Sequence, residues 1–499
     1  MDGMNYTQAI DQVRDVVVKM RYLESIDNII YCDKWHVCPK DGFSYEAEVN
    51  AYLAEIRHDQ LVNDHVAQLV AYFETVDDSQ YQNDIEHGMV NYLTAKYKEA
   101  VQIPAQLQAR LNKACSEGQL EWERCVHAND YESFKPVLKE AFDVQREIAQ
   151  AIDPTKPVYQ VLVNRFDKDF TLEEIDAIFE KLKEAIRDIL AKTEEKRAKI
   201  DTSVLKNDAD KQTMMELVRE VQNLLGFDWN KGVVYEVHHP VCTCNGPRDS
   251  RPSTNYYELF RSLLAAAHET GHGLYNYNGS DEVAAAGLWG GIDGAMHESQ
   301  SKFYENMVGR TKEFWTAFYP KLQEKIPKYR DVKLDDLLSA LNKPIPGTNR
   351  LNADELTVDL HIILRYELER DYFEGKVTAD TMDQAWNAKY KEYLGVEPKT
   401  HAEGVLQDVH WASGYIGYFQ GYTLGEIYAA QMRHKMLEDC PDAYEKLAQG
   451  DISVINQWLK EHVHQYGQTY SARETLIKAT GEDVNIQYYI DYLRDKFLG

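Results

Sequence analysis

The chain has 499 residues, 44% hydrophobic and 27% charged, and is long enough for two domains or one large cleft-bearing body. Its net charge of −27 argues against nucleic acid and anionic membranes as partners, because the long-range field repels both. We see neither the roughly 20 consecutive apolar residues of a membrane span nor a signal peptide at the start. We therefore expect a cytoplasmic protein.

The first two fifths of the chain predict amphipathic helices. From residue 6 to about residue 200, apolar side chains recur three and four positions apart, as in Ile10, Val13 and Val17. The pair Asp153 and Pro154 predicts the end of one helix. The stretch 171–174 has the Thr-x-x-Glu pattern of a capping box and predicts the start of another.

The pattern changes near residue 226. Residues 233–237 are β-branched and aromatic and predict a strand. A Gly-Pro turn at 246–247 and an extended piece at 251–255 follow, which together predict a hairpin or small sheet. Helical patterns then continue to the C-terminus. The expected fold is mostly α with one small β-sheet beside the helix described next.

The helix predicted for residues 256–275 carries His268, Glu269 and His272. Residues four apart share a helix face, so both imidazoles can reach one metal ion while Glu269 lies beside them. This is the H-E-x-x-H arrangement of two zinc ligands and a carboxylate that accepts a proton from water. The alternative is two helix histidines that fall at this spacing by accident.

A catalytic zinc site usually has three protein ligands and one open position. The predicted third ligand is Glu298, in the first turn of the next helix or just before it. The alternative for Glu298 is an ordinary first-turn glutamate favoured by the helix dipole. The same donor set accepts cobalt or manganese, so we expect one divalent ion per chain, with zinc as the first choice.

The seven cysteines are an odd number and are scattered, which argues against a disulfide framework. Two groups lie close in sequence: Cys32, His36 and Cys38, and His239, Cys242 and Cys244. Neither has a second pair at zinc-finger spacing. We therefore expect free or buried thiols rather than a second metal site.

The chain resembles the thermostable carboxypeptidase (carboxypeptidase Taq) family of metallocarboxypeptidases, strongly from about residue 226 onward. The resemblance rests on five motifs, read in this sequence as His268-Glu-Thr-Gly-His272, His297-Glu-Ser-Gln300, Arg350-x-x-Ala-Asp354, Gly404-x-x-Gln-Asp408-x-His410-Trp411 and Gly417-Tyr418-Phe-x-x-Tyr422-x-Leu-Gly425.

Four positions depart from the family pattern. The family's His-Pro-Phe is here His239-Pro240-Val241, and its Asp-x-Arg-x-Thr has Ser253 in place of Thr. The proline usual after Tyr-Phe is Gln420, and an expected acidic Pro-Gly stretch reads Arg-Phe-Asp-Lys at 165–168. None of these positions is a predicted ligand or base, so they bear on substrate preference and not on the reaction.

The resemblance implies hydrolysis by metal-activated water attack, with Glu269 as the general base. The tetrahedral oxyanion needs further donors. We assign His410 and Tyr418, because a His and a Tyr on one segment have this role in the related peptidyl-dipeptidase fold. Tyr415 and Tyr422 are competing tyrosines and are also assigned to the substrate-binding surface. The alternative for Tyr418 is a core tyrosine, since the chain has 33 of them.

Release of single C-terminal residues requires a group that binds a free carboxylate. Arginine suits this because its planar fork can bond both oxygens. The resemblance makes Arg350 the first choice, with Arg251 and His239 as further substrate-binding residues. The alternative for Arg350 is a surface ion pair with an acid such as Asp354.

The resemblance implies one metallocarboxypeptidase domain over residues 1–499, two-lobed with a deep active-site groove. Residues 1–225 would form the mainly helical groove wall or lid, and residues 226–499 the catalytic portion. It also implies a homodimer acting on unfolded peptides. The alternatives are a peptidyl-dipeptidase or endo-oligopeptidase on the same fold, or a metal-binding scaffold without activity.

Overall fold

The structure is a computed structural model and describes residues 5–237, 240–292 and 294–499. Within these ranges nothing is described for the side chains of Trp35, His36 and Lys40. The predicted substrate-binding residue His239 lies outside the described residues.

The chain divides into two compact units, each built from three separate stretches. The first unit holds the described parts of Met1–Val101, Thr202–Leu341 and Ala429–Val484. The second unit holds Gln102–Asp201, Asn342–Tyr428 and Asn485–Gly499. The proposed functional division at residue 225 stays a prediction.

Helices make up most of the described chain, as predicted. Before the sheet these are α1 (Tyr6–His36), α2 (Phe43–Leu61), α3 (Asp64–Phe73), α4 (Asp84–Gln102), α5 (Ala105–Ala128), α6 (Tyr131–Ile152), α7 (Val158–Asn164), α8 (Leu172–Lys199) and α9 (Lys211–Leu224). After the sheet they are α10 (Leu259–Tyr277), α11 (Asp281–Ala285), α12 (Ala295–Lys302), α13 (Lys312–Lys325), α14 (Leu334–Leu341), α15 (Val358–Phe373), α16 (Met382–Leu394), α17 (Gln420–Asp439), α18 (Ala443–Ala448), α19 (Ser453–His462), α20 (Ala472–Thr480) and α21 (Gln487–Leu498).

Tighter and wider helical turns also occur. The short 3₁₀ helices are Lys40–Gly42, Asp78–Gln80, Ser203–Leu205, Pro327–Arg330, Arg350–Asn352 and His464–Tyr466. A π-helix, Phe303–Val308, continues directly from α12. Such π-turns are rare and occur frequently at functional sites.

The helix boundaries predicted in the first part of the chain are confirmed. The helix α6 ends at Ile152, just before Asp153 and Pro154. Thr171 caps α8, with its side chain accepting from the Glu174 amide and the Glu174 carboxylate accepting from the Thr171 amide. This exchange is the capping box that the sequence predicts.

The sheet has three strands, β1 (Tyr235–Glu236), β2 (Cys242–Gly246) and β3 (Asp249–Thr254), in the order β1-β3-β2. The hairpin pairs β2 with β3 antiparallel, and β1 runs parallel to β3. The strand predicted at 233–237 is therefore shorter than expected, and β2 was not predicted. Its residues have weak strand preference alone, and pairing with β3 supplies the missing stabilisation.

The hydrophobic core of the first unit includes a cluster in which α1, α3 and α4 pack together. Ile10, Val13 and Val17 of α1 meet Leu69 and Met89 in this cluster. Burial of each large aliphatic side chain contributes about 1.5–3 kcal/mol. By contrast, α2 packs mainly along α1, and Leu61 is the only one of its described side chains that is buried. No described helix has both the length and the apolar character needed to cross a membrane.

Candidate metal centre

Two helices of the first unit bring three metal-binding side chains together. His268 and His272 project from one face of α10, and Glu298 lies in the first turn of α12. Each imidazole Nε2 is 3.7 Å from a Glu298 carboxylate oxygen. Within the described chain this is the one set of three such donors found, with all ligand atoms within 4.8 Å of one another.

The donor set fits a divalent cation. Two imidazole nitrogens and one carboxylate oxygen are the ligands of a catalytic zinc site. Ligand atoms about 2.1 Å from a tetrahedral ion would be roughly 3.4 Å apart, close to the 3.7 Å observed between these atoms. The separation is too long for a hydrogen bond, so the three groups surround a space rather than bond to each other.

A close approach of α10 and α12 makes this convergence possible. A Cβ at Gly271 would clash with the backbone carbonyl of Gln300 and lie 2.9 Å from the Cα of Ser301. Only glycine permits this approach, since any side chain would push the helices apart. Gly271 therefore allows Glu298 to reach His268 and His272.

Glu305 orients His268. The Nδ1 of His268 lies 2.9 Å from a Glu305 oxygen, so it donates its hydrogen there and leaves Nε2 free for a metal. Glu305 belongs to the π-helix and also contacts Lys302 at 3.2 Å and Arg310 at 3.7 Å. Burial alone would raise the pKa of Glu305, but Lys302 and His268 hold that pKa well below its usual range.

His297 orients His272. The two Nδ1 atoms are 2.6 Å apart, and His297 Nε2 is 2.9 Å from Asn276 Oδ1. The amide oxygen can only accept, so His297 donates from Nε2 and accepts at Nδ1 from His272. These two hydrogen bonds leave the Nε2 lone pair of His272 directed at Glu298. Burial and the neighbouring histidines hold the pKa of His272 well below its usual value, so the ring is neutral.

The electrostatics of the centre favour a bound cation. Burial lowers the pKa of His268, but the Glu298 and Glu305 carboxylates outweigh it and raise that pKa to about 9. Carboxylates close to His268 thus stabilise positive charge at this place. The same carboxylates would stabilise a bound divalent ion.

Glu269 lies beside His268, next to it in α10. Its side chain is buried, with 6% exposure, and its Oε2 has no hydrogen-bond partner among the described residues. Burial raises the pKa of Glu269 to about 7, with a further contribution from Glu298. A carboxylate with its pKa near neutrality suits a general base.

The second unit gathers another group of predicted site residues around Asp408. Arg350 donates from Nε and Nη2 to one Asp408 oxygen at 3.1 and 3.0 Å, and Arg365 donates to the other at 2.6 Å. Arg350 thus forms an ion pair, but with Asp408 rather than with Asp354. Burial would raise the pKa of Asp408, yet the two guanidinium groups hold it below its usual range.

The predicted oxyanion donors lie in this same unit. His410 Nε2 is 3.2 Å from the Tyr422 hydroxyl, and its Nδ1 is buried without a hydrogen-bond partner among the described residues. Burial lowers the pKa of His410 to about 3, so the ring is neutral. The Tyr418 ring centroid is 5.9 Å from that of His410 and 5.6 Å from that of Tyr415.

Arg251 of β3 is engaged within its own strand. Its Nε and Nη2 donate to the two carboxylate oxygens of Asp249 at 2.9 and 2.7 Å. The pair is bidentate, which fixes the plane of the guanidinium.

Sequence reasoning missed four of the residues that position these groups. They are His297, Glu305, Arg365 and Asp408. His297 and Asp408 lie inside two of the family motifs quoted above, so the sequence does contain a signal for them. Glu305 follows Glu298 by seven residues, which is two helical turns, and that spacing could have indicated a shared face.

All seven cysteines are free, as predicted. Among the described residues no cysteine joins a set of three metal-binding side chains, and the expectation that neither cysteine group binds a metal stays a prediction. Cys32 lies 3.2 Å from Thr243 of β2, so the structure brings the two cysteine groups of the sequence close together. The side chain of His36 and all of His239 lie outside the described residues.

Known proteins match the chain over nearly its whole length. The family model described as "Carboxypeptidase Taq (M32) metallopeptidase" matches residues 12–497. Carboxypeptidase 1 of Bacillus subtilis is 34% identical over 487 residues, covering 97% of each chain. Thermostable carboxypeptidase 1 of Thermus thermophilus is 30% identical over 490 residues, covering 95% of this chain and 96% of that protein.

Solved structures agree with these matches. The crystal structure titled BsuCP superposes with a TM-score of 0.91 at 33% identity, covering 98% of this chain and 99% of that one. Pyrococcus furiosus carboxypeptidase, in a structure titled Apo-Mg, gives a TM-score of 0.94 at 27% identity and full coverage of both chains. The helical fold with its small sheet is therefore shared with these proteins.

Proposed function

The chain belongs to the carboxypeptidase Taq (M32) metallopeptidase family, and from that premise we propose that it releases single C-terminal amino acids from peptides, with Glu269 as general base. Metal-dependent carboxypeptidase activity is the property of the family. The assignment of individual residues rests on the side chains around His268, His272 and Glu298. The single observation that carries it is the convergence of these three ligands beside a buried, unpartnered Glu269 oxygen.

His268, His272 and Glu298 would hold the ion, and we propose zinc, with cobalt or manganese as alternatives for the same donors. A divalent ion bound there would lower the pKa of water and polarise the scissile carbonyl. Glu305 and His297 would keep the two imidazoles in the tautomer that presents Nε2. These two residues contribute by orientation and do not touch the substrate.

Glu269 would remove the proton from the attacking water and pass it to the departing amine. Support comes from its unpartnered Oε2 and from the burial that raises its pKa to about 7. At neutral pH, a group with this pKa exists in both protonation states. It can therefore accept a proton in one step and donate it in the next.

Arg350 would bind the terminal carboxylate of the peptide. Two of its five N–H groups bond to Asp408, and the others remain for a ligand. The pairing with Asp408 fixes the plane of the guanidinium and lowers the entropy lost on binding. We propose Arg251, His239, Tyr415 and Tyr422 as further substrate-binding residues.

His410 and Tyr418 would stabilise the oxyanion that forms on the scissile carbonyl. A neutral imidazole still carries one N–H, and the low pKa of His410 means that it acts as a neutral donor rather than as a cation. Tyr422 already contacts His410. It therefore competes with Tyr418 for this role.

The test separates a carboxypeptidase from an endo-oligopeptidase or peptidyl-dipeptidase on the same fold. The protein is stripped of metal, one ion is restored, and matched peptides with free and amidated C-termini are supplied. A carboxypeptidase releases single amino acids from the free peptide and spares the amide. Internal cleavage of both peptides, or release of dipeptides, would replace the proposal with the alternative.

The remaining proposals concern the substrate, the oligomeric state and the cellular location. We propose unfolded peptides as substrates, a homodimer and a cytoplasmic location, as the sequence predicts. The residues assigned to the reaction all fall in the catalytic portion proposed for 226–499.

A further inference from the structure

A cavity of about 420 Å³ lies in the first unit, bounded by α1, α2, α4, β2 and the residues on either side of α12's start. Its wall includes His297 and Asn276, the two residues that orient His272 from behind. His268, His272 and Glu298 are not among the residues that line it. The proposed chemistry of the metal centre gives it no role.

Arg21, a buried arginine, lines the cavity and has one N–H group without a partner among the described residues. The Arg21 side chain is 9% exposed and makes an ion pair with Glu24. Its Nη2 donates to the carbonyl of Trp289 at 2.8 Å. Its Nε, however, has no hydrogen-bond partner among the described residues. An unbonded N–H on a buried cation costs free energy unless a ligand or water satisfies it.

Further groups of both signs line the same cavity. Lys96 stands over the Tyr92 ring at 5.7 Å and has no described carboxylate within 4 Å. The Tyr92 hydroxyl donates to Glu24 at 2.9 Å, which connects Lys96 to the Arg21 pair. Asp27 pairs with Arg57 on the cavity wall. The lining therefore carries three cations and two carboxylates, an excess of positive charge in a chain whose net charge is −27.

The floor of the cavity allows a ligand to approach closely. Gly290 has a φ of +84°, and a Cβ placed there would be in van der Waals contact with its neighbours. That place lies 3.4 Å from both Arg21 Nη2 and Cys244 Sγ. A larger residue at 290 would fill the space in front of the guanidinium. The absence of a side chain thus keeps Arg21 accessible from the cavity.

We propose that this cavity binds a free α-amino acid, with the carboxylate on Arg21 and Lys96. The mixed lining suits a zwitterion, since Glu24 and Asp27 can receive its ammonium group. The volume falls in the range of small-molecule sites. The identification of the amino acid as a reaction product rests on the proposed function, while the binding site itself does not.

The experiment measures binding of leucine, leucinamide and inorganic phosphate to the metal-loaded full chain at constant ionic strength. Isothermal titration calorimetry gives affinity, and tryptophan fluorescence gives a local signal, because the Trp289 ring lies 3.8 Å from the Arg21 guanidinium carbon. We expect leucine to bind and to change the fluorescence. Leucinamide lacks the carboxylate and phosphate lacks the ammonium, so both should bind at least tenfold more weakly.

Lys96→Met provides the decisive variant because Lys96 is exposed, so we expect the variant to fold as the wild type does. We expect this change to weaken leucine binding about tenfold, the effect of losing one charge-assisted hydrogen bond. Lys98→Met on the same helix is the matched control, since Lys98 does not line the cavity. Equal affinity in Lys96→Met and Lys98→Met would overturn the proposal, as would equal binding of leucinamide or phosphate.

Two further variants separate this site from the proposed substrate site. Arg350→Ala should leave the Lys96-dependent binding and its fluorescence signal unchanged, because Arg350 is not among the residues that line the cavity. Loss of that signal in Arg350→Ala would contradict the proposal. If peptides are not hydrolysed but leucine still binds through Lys96, the proposed function fails and the cavity site stands. The opposite pattern refutes the cavity alone.

Discussion

The metal centre of the first unit and the Asp408 cluster of the second unit differ in the sign of the charge that is in excess. In the first, three carboxylates surround two imidazoles, and their field raises the pKa of His268. In the second, two guanidinium groups share one carboxylate and hold its pKa low. Buried charge is costly unless it is paired. We therefore propose that a cation completes the first cluster and an anion completes the second.

In the proposed function, each of the two clusters binds one charged group. A divalent ion would supply positive charge to His268, His272 and Glu298. A peptide's terminal carboxylate would supply negative charge to Arg350 and Arg365. We expect removal of the base, of the carboxylate-binding group and of the orienting groups to have distinct kinetic and metal-binding effects.

The largest effect is expected for Glu269→Gln. The amide keeps the size of the side chain but cannot accept a proton, so we expect turnover to fall by about 10³-fold or more. Steady-state hydrolysis of a free-carboxylate peptide measures this loss. Metal content by elemental analysis should remain at one ion per chain, and near-normal turnover would rule out Glu269 as the base.

Arg350→Ala should have the next largest effect and a different signature. Loss of the bidentate donor removes about 2–4 kcal/mol of carboxylate binding, a fall of about 10²-fold in kcat/KM for free-carboxylate peptides. The thermal midpoint should drop much less, since Asp408 keeps its bond to Arg365.

Arg370→Ala is the matched control for Arg350→Ala, because Arg370 lies in the same unit, is paired with Asp176 and Glu374, and is assigned no role in substrate binding. It should change kcat/KM less than Arg350→Ala does. An Arg350→Ala protein that unfolds without a selective kinetic effect would assign Arg350 a structural role only.

His297→Ala tests the orienting groups of the metal centre. Without the acceptor for His272 Nδ1, we expect metal affinity to fall about 10–100-fold. Competition with a chelator of known affinity measures this change without any assay of activity. His297→Gln should restore part of the affinity, because its amide can accept from His272 and donate to Asn276. Equal metal affinity in wild type and His297→Ala would contradict this role.

The smallest effect concerns acid stability of the second cluster. The pKa of Asp408 is lower in the folded chain than in the unfolded chain. Its stabilising contribution is therefore complete above roughly pH 4 and is lost as pH falls through the folded value. Denaturant unfolding between pH 5 and 2 should show a slope shallower by up to about 1.4 kcal/mol per pH unit in Asp408→Asn. An unchanged slope would show that Asp408 does not titrate with unfolding.

The parts of the site that depend on local periodicity could be predicted from sequence. His268 and His272 share a helix face by spacing alone, and Glu298 lies in the first turn of a later helix, α12. The contacts between helices could not be predicted in the same way. His297 meets His272 only because Gly271 lets α10 and α12 approach closely, and Glu305 reaches His268 from a π-turn that a regular helical period does not describe.

The same distinction applies to the second cluster and to the sheet. Asp354 is four residues from Arg350 and was the nearest acid in sequence, but its carboxylate accepts from Ile345, Leu356 and Thr357. Tertiary packing brings Asp408 to Arg350 instead. The strand β2 was missed for a related reason, since its partner β3 and not its own composition makes it a strand.

The most direct test of the account is a metal titration with product identification. The metal-free protein receives zinc, cobalt or manganese in substoichiometric steps, and mass spectrometry follows the products of a peptide with a free C-terminus. We predict that release of single C-terminal amino acids rises linearly and stops at one ion per chain. Full release without metal, or products cut only at internal bonds, would contradict the account.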